Sequence, residues 1–170
     1  MKPLRILLLA TLVAVTARAG ADDCIAMIGT GSVGGALGPR FAGLGERIVY
    51  GSRTPEAERI AALVERTGAG TQALAPDAAA RACNTIVLAV PWFAVEATVK
   101  SFGDLAGKLI VDVTNPLSFR DNIVVGAEVP ANSGAEFIQS LAPGARVVKA
   151  FNTIYYTVMA VPETAGGSVS

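Results

Sequence analysis

The sequence predicts an α/β fold of the doubly wound type, and three observations support this prediction. Short apolar runs typical of strands alternate along the chain with longer segments typical of helices. The run at residues 85–90 is almost wholly apolar, as expected for a parallel strand that is covered on both faces. A glycine-rich turn joins the first strand to the first helix. We therefore expect a mostly parallel sheet with the strand order 3-2-1-4-5-6.

The elements of this sheet can be assigned in order along the chain. Apolar runs predict strands at residues 24–28, 47–50, 71–74, 85–90, 109–113 and 146–150. The segments between them predict helices at residues 33–44, 55–67, 78–82, 93–102 and 134–141. Thr54 is a candidate N-cap for the second helix, and Pro55 fits its first turn. Ligands of such sheets bind at the carboxyl ends of the strands, so the residues that follow each strand are the candidate site.

The turn after the first strand has the pattern of a dinucleotide-binding turn. It reads Gly29-Thr30-Gly31-Ser32-Val33-Gly34. The first glycine allows the tight turn, the second lets the backbone approach a pyrophosphate, and the third lets the helix pack on the strand. N–H groups at the helix start then hold the anion. With a strand before it and a helix and second strand after it, this turn predicts a Rossmann fold with a nicotinamide dinucleotide site.

The residues after the second strand favour NADP over NAD. An NAD site normally has Asp or Glu there, to accept hydrogen bonds from the ribose hydroxyls. This chain has Ser52-Arg53 instead. A guanidinium can pair with a 2′-phosphate through two hydrogen bonds, whereas a carboxylate would repel it. The alternative is that Arg53 is an ordinary solvated turn residue.

Residues 1–19 have the order of a secretory signal peptide. Lys2 and Arg5 precede an apolar run at 6–15, and small residues surround Arg18 up to Ala19. An uncleaved membrane anchor is one alternative, and an N-terminal extension or wrongly assigned start codon is another. Cleavage would leave 11 basic and 14 acidic residues, a net charge of about −3.

The expected location follows from this leader: periplasmic or secreted if it is cleaved, and cytoplasmic otherwise. Residues 23–160 are expected to form the NADP-binding domain, and residues 161–170 a C-terminal tail. Export conflicts with a cofactor made in the cytosol, and residues 1–5 lack the Arg-Arg pair of the twin-arginine route.

Five motifs, in order, resemble the coenzyme F420-dependent NADP oxidoreductases, whose related domain occurs in six-transmembrane metalloreductases. The resemblance covers about residues 24–158. The motifs are the glycine turn continued to Leu37, Gly51-Ser52-Arg53, Ala89-Val90-Pro91-Trp92, Asp112-Val113-Thr114-Asn115-Pro116 and Val147-Val148-Lys149-Ala150-Phe151-Asn152-Thr153.

The resemblance implies a role for specific residues. Thr30, Ser32 and Val33 would contact the pyrophosphate, and Ser52 and Arg53 the 2′-phosphate. Val90 and Pro91 would lie on the nicotinamide side, with Ala150 near the carboxamide.

The chain departs from the family in two places. The family's enzymes continue beyond this point with elements that help wall the deazaflavin pocket, whereas this sequence stops at Ser170, so an incomplete pocket is expected. The chain also has no histidine, although some family members place one near the deazaflavin. Direct hydride transfer depends on alignment more than on an acid or base, so the reaction is still compatible with the sequence.

Other chemistries have little support. The absence of histidine excludes Ser-His and Cys-His pairs, and two cysteines give no zinc-site spacing. Equal numbers of basic and acidic residues, 14 of each, provide no basic surface for nucleic acid. The remaining polar and aromatic candidates are expected to be structural: Asp112 at a strand end, Lys149 on the flank of the sheet, Trp92-Phe93 over the sheet edge or against the next helix, and Tyr155-Tyr156 packed under the last strand.

Three functions fit these observations. The first is an NADP-dependent oxidoreductase that moves hydride between NADP(H) and a deazaflavin (F420) or flavin-like acceptor. The second is an NADP-binding module whose acceptor site is supplied by another chain. The third is an envelope protein that retains the fold without nucleotide. The expected partners are thus a dinucleotide and a redox acceptor; a homodimer is left open, and a membrane is involved only if the leader is uncleaved.

The two cysteines lie at the amino ends of neighbouring strands in the predicted order. Cys24 opens the first strand and Cys83 precedes the fourth. A disulfide needs Cα atoms within about 7 Å, and the register is uncertain by a residue or two. We expect two buried, reduced thiols, with a disulfide as the alternative.

Overall fold

The structure is a computed structural model that describes residues 22–121 and 123–165, so the leader predicted at residues 1–19 lies outside the described residues. The strands are β1 (Asp22–Ile28), β2 (Ile48–Gly51), β3 (Gln72–Leu74), β4 (Cys83–Leu88), β5 (Leu109–Asp112), β6 (Leu117–Arg120), β7 (Ile123–Gly126) and β8 (Arg146–Lys149). The α-helices are α1 (Ser32–Gly43), α2 (Glu58–Thr67), α3 (Pro76–Ala82), α4 (Val95–Ser101), α5 (Gly134–Leu141) and α6 (Tyr156–Ala160), with 3-10 turns at Trp92–Ala94 and Pro162–Ala165.

Six parallel strands form one sheet in the order β3-β2-β1-β4-β5-β8, which confirms the predicted topology with β8 as its sixth strand. Alternate side chains of β1 enter two apolar cores: Ala26 and Ile28 face one, and Ile25 and Met27 face the other. Two cores on opposite faces are what a doubly wound sheet requires. Among the described residues, no helix is both long enough and apolar enough to cross a membrane.

The second helix begins later than predicted. Its first residue is Glu58 after the N-cap residue Ala57, so the prediction that Thr54 caps a helix starting at Pro55 is wrong. The reason is a preceding turn, in which the Thr54 carbonyl accepts a hydrogen bond from the Ala57 N–H at 3.1 Å. The Thr54 N–H is itself bonded to the Ser52 hydroxyl, which further commits this segment to a loop.

The structure also contains an antiparallel hairpin that the sequence did not predict, and two tyrosines lie in another position than predicted. β6 and β7 pair from Leu117–Gly126 to Arg120–Ile123, and Asp121 at their junction has φ +50°. Tyr155 and Tyr156 do not pack under the last strand. Their rings contact each other with centroids 4.7 Å apart, and Tyr155 is 67% exposed.

Cys24 and Cys83 form a disulfide, with Cα atoms 5.0 Å apart, so the expectation of two reduced thiols is wrong. The fourth strand begins at Cys83 itself, and the register there is irregular, with Asp22 opposite Cys83. The register of Ile25 opposite Thr85 places Cys24 beside the start of β4, and this register could not be derived from strand order alone.

Candidate functional site

The glycine loop is fixed between the ends of two neighbouring strands. Gly29 has φ +106°, and a Cβ atom built on it would lie 2.2 Å from the Ala89 carbonyl oxygen. Its N–H donates to the Gly51 carbonyl oxygen at 3.1 Å. Only glycine suits this backbone conformation and this close approach. The loop therefore leaves the sheet in one defined direction, above the carboxyl ends of β2 and β4.

The other two glycines of the motif differ in what surrounds them. A Cβ atom at Gly34 would lie 1.9 Å from the Gly29 carbonyl oxygen, so this glycine lets α1 pack against the loop. A Cβ atom at Gly31 would meet no atom within 4 Å. The fold itself therefore does not require a glycine at position 31, and the open space above it suits a ligand that must touch the backbone.

The start of α1 is open to an anion. Its N-cap residue, Gly31, provides no side-chain hydrogen bond, and its first turn contains no acidic residue. Free N–H groups and the positive end of the helix dipole favour a phosphate there. Thr30 and Ser32 flank Gly31, while Val33 is half-buried and packs against a core. The structure thus brings together, at an open helix start, the residues that the sequence assigned to a pyrophosphate.

Ser52 and Arg53 differ sharply in how they are held. Ser52 is only 3% exposed, its N–H donates to the Leu74 carbonyl oxygen at 2.9 Å, and its hydroxyl accepts the Thr54 N–H at 3.2 Å. Arg53 extends into solvent and forms no hydrogen bond or ion pair with any residue the structure describes. The firmly held Ser52 is thus followed directly by Arg53, whose guanidinium extends into solvent. The guanidinium N–H groups are the donors that a 2′-phosphate would use.

Sequence reasoning missed a second guanidinium at this edge. Arg59, in the first turn of α2, donates from Nη1 to the Thr30 hydroxyl and from Nη2 to the Thr54 hydroxyl, each at 3.4 Å. It therefore spans the glycine loop and the loop after β2. In the sequence, the only feature that indicates a role for Arg59 at this site is its position shortly after the loop that follows β2.

A buried polar cluster lies at the ends of β5 and β8, where the sequence analysis expected only structural residues. Asp112 is fully buried, and its carboxylate accepts hydrogen bonds from the Thr114 N–H at 2.8 Å and hydroxyl at 2.7 Å. Lys149 lies on the edge strand β8 with its side chain 30% exposed, in agreement with the predicted position on the flank of the sheet. Its ammonium group donates to Asp112 at 2.9 Å and to the Thr114 carbonyl oxygen. The buried Asp112 carboxylate requires such partners, which explains why the Lys149 ammonium group is directed toward it.

This cluster fixes the loops predicted to face the nicotinamide end. The Ala150 N–H donates to the Asp112 carbonyl oxygen at 3.1 Å, and the Asn115 side chain donates to the Asn152 carbonyl oxygen at 3.0 Å. Phe151 between them has φ +61°, an uncommon conformation for an aromatic residue. The loop after β8 is therefore strongly constrained.

The structure brings most of the predicted site residues together. The glycine loop lies against Val90, whose Cγ1 would be 3.4 Å from a Cβ atom at Gly29, and exposed Pro91 follows. Ala150 is two strands away from β4, about 10 Å across the sheet. All of these residues occupy the carboxyl edge.

The two aromatic residues that follow Pro91, Trp92 and Phe93, lie in different environments. Trp92 packs on Phe137, with ring centroids 5.8 Å apart, and its indole N–H donates to the Glu128 carbonyl oxygen at 3.3 Å. Trp92 thus connects the end of β4 to α5, and not to the next helix along the chain, as one of the sequence alternatives had it. Phe93 is 87% exposed. In the described part of the chain no group of acidic or cysteine side chains could hold a metal ion.

Comparison with known proteins identifies the family. Residues 24–116 match the NADP oxidoreductases dependent on coenzyme F420. An F420-dependent NADP reductase of Methanothermobacter thermautotrophicus is 35% identical, over 76% of this chain and 61% of the relative. The rat metalloreductase STEAP3 is 32% identical, over 76% of this chain and 24% of the relative.

A solved structure agrees with these sequence matches. It is assigned as an F420-dependent NADP reductase of an Arthrobacter species, is 30% identical, and has a TM-score of 0.77 over 86% of this chain and 70% of that chain. The chain spans only 61% of the archaeal reductase. Membership of the family therefore does not by itself assign the reductase's activity to this chain. The family match begins at the disulfide-bonded Cys24, includes the glycine loop and ends at Pro116. Because this match covers more than half of the sequence, the chain belongs to the coenzyme F420-dependent NADP oxidoreductases.

Proposed function

We propose that this chain binds NADP(H) and supports hydride transfer between its nicotinamide and a deazaflavin or flavin-like acceptor. Bound NADPH would supply the hydride, and the protein would supply alignment and electrostatic binding. The family and the name of the archaeal relative support the dinucleotide and the acceptor class.

One observation carries the proposal: the space above Gly31. The protein's own packing leaves that position open, while the flanking Gly29 and Gly34 are required by contacts below 2.5 Å to a built Cβ atom. An opening in an otherwise tightly packed loop, at an uncapped helix start, is the arrangement that a pyrophosphate needs.

The remaining residues divide the dinucleotide between them. Arg53 and Ser52 would hold the 2′-phosphate, and Thr30 and Ser32 would hold the pyrophosphate. Val90 and Pro91 would contact the nicotinamide side, and Ala150 would meet the carboxamide. The Asp112–Lys149 pair would keep the Ala150 loop in place without touching the cofactor.

The acceptor would approach at the same edge, beside the end of β4. Phe93, on the turn after β4, is exposed and apolar, as are Ile123 and Val124 on the hairpin after β5, whose first strand contacts that turn. An exposed apolar surface next to a nicotinamide site suits a planar, largely apolar ring system.

A second candidate function is a dinucleotide-binding module whose acceptor wall comes from another domain or chain. The exposed Phe93 favours it, since nothing in the described part of the chain covers this ring. The match to 24% of a rat metalloreductase shows a similar segment within a longer protein.

We also propose that the domain matures in an oxidising compartment, outside the cytosol. The leader-like residues 1–19 and the buried Cys24–Cys83 disulfide support this together, because structural disulfides are rare in cytosolic proteins.

Binding should be tested first, by titrating the full chain with NADPH and NADH and following nucleotide fluorescence. Arg53→Gln should weaken NADPH binding by about one to two decades, as expected for lost charge-assisted contacts, and leave NADH binding nearly unchanged. Arg146→Gln is the matched control, since this exposed arginine lies at the opposite edge of the sheet. Equal losses for both nucleotides would reject the assignment of Arg53.

Turnover should be tested second, by following NADPH oxidation with coenzyme F420 and with FMN as acceptors. Oxidation with either acceptor supports the oxidoreductase. Tight NADPH binding without turnover favours the binding module, and no binding of either nucleotide rejects both.

A further inference from the structure

Arg59 lies between the two loops assigned to the phosphates. Its guanidinium contacts Thr30 in the glycine loop and Thr54 in the loop that presents Arg53. By the assignment above, Thr30 serves the pyrophosphate and Arg53 the 2′-phosphate. A group that touches both loops is therefore near both anionic parts of the dinucleotide.

The present partners of Arg59 leave its charge uncompensated. Both are neutral hydroxyl oxygens at 3.4 Å, which is long for a hydrogen bond. Neither Glu56 nor Glu58, its neighbours in sequence, forms an ion pair with it among the described residues. Arg59 thus keeps donors and charge available to a stronger acceptor.

Cations on other helices of this chain are paired differently. Arg81 on α3 binds the Asp77 carboxylate at 2.8 Å, and Lys100 on α4 binds the Glu96 carboxylate at 2.5 Å, each one turn away. On α2 the position one turn after Arg59 is the apolar Leu63, so the helix offers no such partner. The chain leaves a helix cation without a carboxylate at the edge where a phosphate is expected.

We propose that Arg59 is a second cation for the 2′-phosphate of NADP, acting with Arg53. This inference rests on the proposed function. On binding, Arg59 would exchange the two threonine hydroxyls for phosphate oxygens, which make shorter and stronger bonds with a guanidinium. In the free protein the same side chain would connect the two loops and keep them close to their binding arrangement.

The test compares ligands that differ only by the 2′-phosphate, using the full chain. The pairs are NADPH with NADH, and 2′,5′-ADP with 5′-AMP; the second pair lacks the nicotinamide and so isolates the adenosine end. Arg59→Gln should weaken NADPH and 2′,5′-ADP about tenfold, the loss of one charge-assisted contact, and change NADH and 5′-AMP less than about twofold.

Arg66→Gln is the matched control on the same helix. Its guanidinium donates to the Gly35 carbonyl oxygen at 3.1 Å, and removing it should leave all four affinities unchanged. Arg59→Lys should retain part of the preference for the 2′-phosphate, because it keeps the charge but loses the fork of donors.

Three results would overturn the inference. Equal losses for phosphorylated and unphosphorylated ligands would mean that Arg59 acts through Thr30 and the glycine loop. Unchanged affinities in Arg59→Gln, with normal binding by the unmodified chain, would make Arg59 a surface bridge and leave the proposed function intact. An unmodified chain that binds no nucleotide would overturn the proposed function and this inference together.

Discussion

Single residues at the carboxyl edge are held by two kinds of force. Gly29 and Gly34 are fixed by backbone contacts, and Asp112 is fixed by charge and hydrogen bonds inside the protein. Gly31 and Arg53 are held by neither, although they lie in the same site. Residues that the fold does not need are the ones at which a substitution tests function without breaking the structure.

Gly31→Val should separate binding from folding. The new side chain would occupy the open space above the loop and should lower the affinity for NADPH and NADH at least about a hundredfold. Because that space contains no protein atom, the free energy of unfolding should fall by at most about 1 kcal/mol, the cost of a poorer N-cap. Denaturant unfolding and a nucleotide titration on the same sample measure both. Undiminished binding would contradict the nucleotide site itself.

Lys149→Met should destabilise the fold through its partner. It would leave the buried Asp112 carboxylate without its cation, at a cost of about 3 kcal/mol, the lower end for a broken buried pair because Lys149 is 30% exposed. Asp112→Asn combined with Lys149→Met should recover part of the loss, since an amide needs no cation. A loss below about 1 kcal/mol for Lys149→Met, measured by denaturant unfolding, would show that the pair is not needed.

Contacts inside one loop could be predicted from the sequence, whereas contacts between elements could not. The role of Ser52-Arg53 could be predicted because it depends only on the position of these residues directly after the second strand. Arg59 and the Asp112–Lys149 pair were missed because they depend on register and on where a helix begins. These quantities are fixed by packing across the whole sheet.

Among the elements, α1 is the one whose packing defines the site. It approaches the sheet so closely that a Cβ atom at Gly34 would overlap the Gly29 carbonyl oxygen, and one at Gly38 would overlap the Tyr50 hydroxyl. That hydroxyl is hydrogen-bonded to Thr67 at 2.8 Å, and its burial raises the pKa of Tyr50. Small residues on one side of α1 therefore set the height of its N-terminus above β1.

Gly34→Ala tests this packing. Alanine favours a helix over glycine by about 1 kcal/mol, but the overlap with backbone should cost about 3 kcal/mol, so the net effect is destabilising by about 2 kcal/mol. Gly43→Ala at the end of the same helix is the control, because a Cβ atom there meets nothing within 4 Å. Thermal or denaturant unfolding of both variants gives the comparison. Equal stabilities would show that α1 can move away from the loop freely.

Apolar runs located all six strands of the main sheet, and the pattern is clearest in the central strands, which are buried on both faces. The β6–β7 hairpin was missed because both strands are only four residues long and β6 (Leu117–Arg120) contains no continuous apolar run. The start of α2 was placed three residues early because a Thr-Pro pair also suits a turn.

For the whole molecule, the Cys24–Cys83 disulfide is a covalent crosslink between two central strands of the sheet. It closes a loop between positions 59 residues apart, which corresponds to about 4 kcal/mol in the chain-entropy description. Cys24→Ala combined with Cys83→Ala should lower the free energy of unfolding by about that amount.

The redox state can be read directly by mass spectrometry. Unfolded protein from the envelope fraction should take up no alkylating label without reductant and two labels after reduction. Two labels without reductant would contradict the disulfide in the cell. A mass that includes residues 1–19 would contradict a cleaved leader.

The disulfide and the glycine loop lie at opposite ends of the same strand. Cys24 begins the apolar part of β1 and Ile28 ends it, so four residues, about 13 Å of strand, separate the sulfur atoms from the loop. The length of β1 thus separates two redox-active groups, the permanent disulfide and a nicotinamide that would bind and dissociate. Direct hydride transfer needs reacting atoms about 3–3.5 Å apart, so a nicotinamide bound at the carboxyl edge would not reach the sulfur atoms of the disulfide.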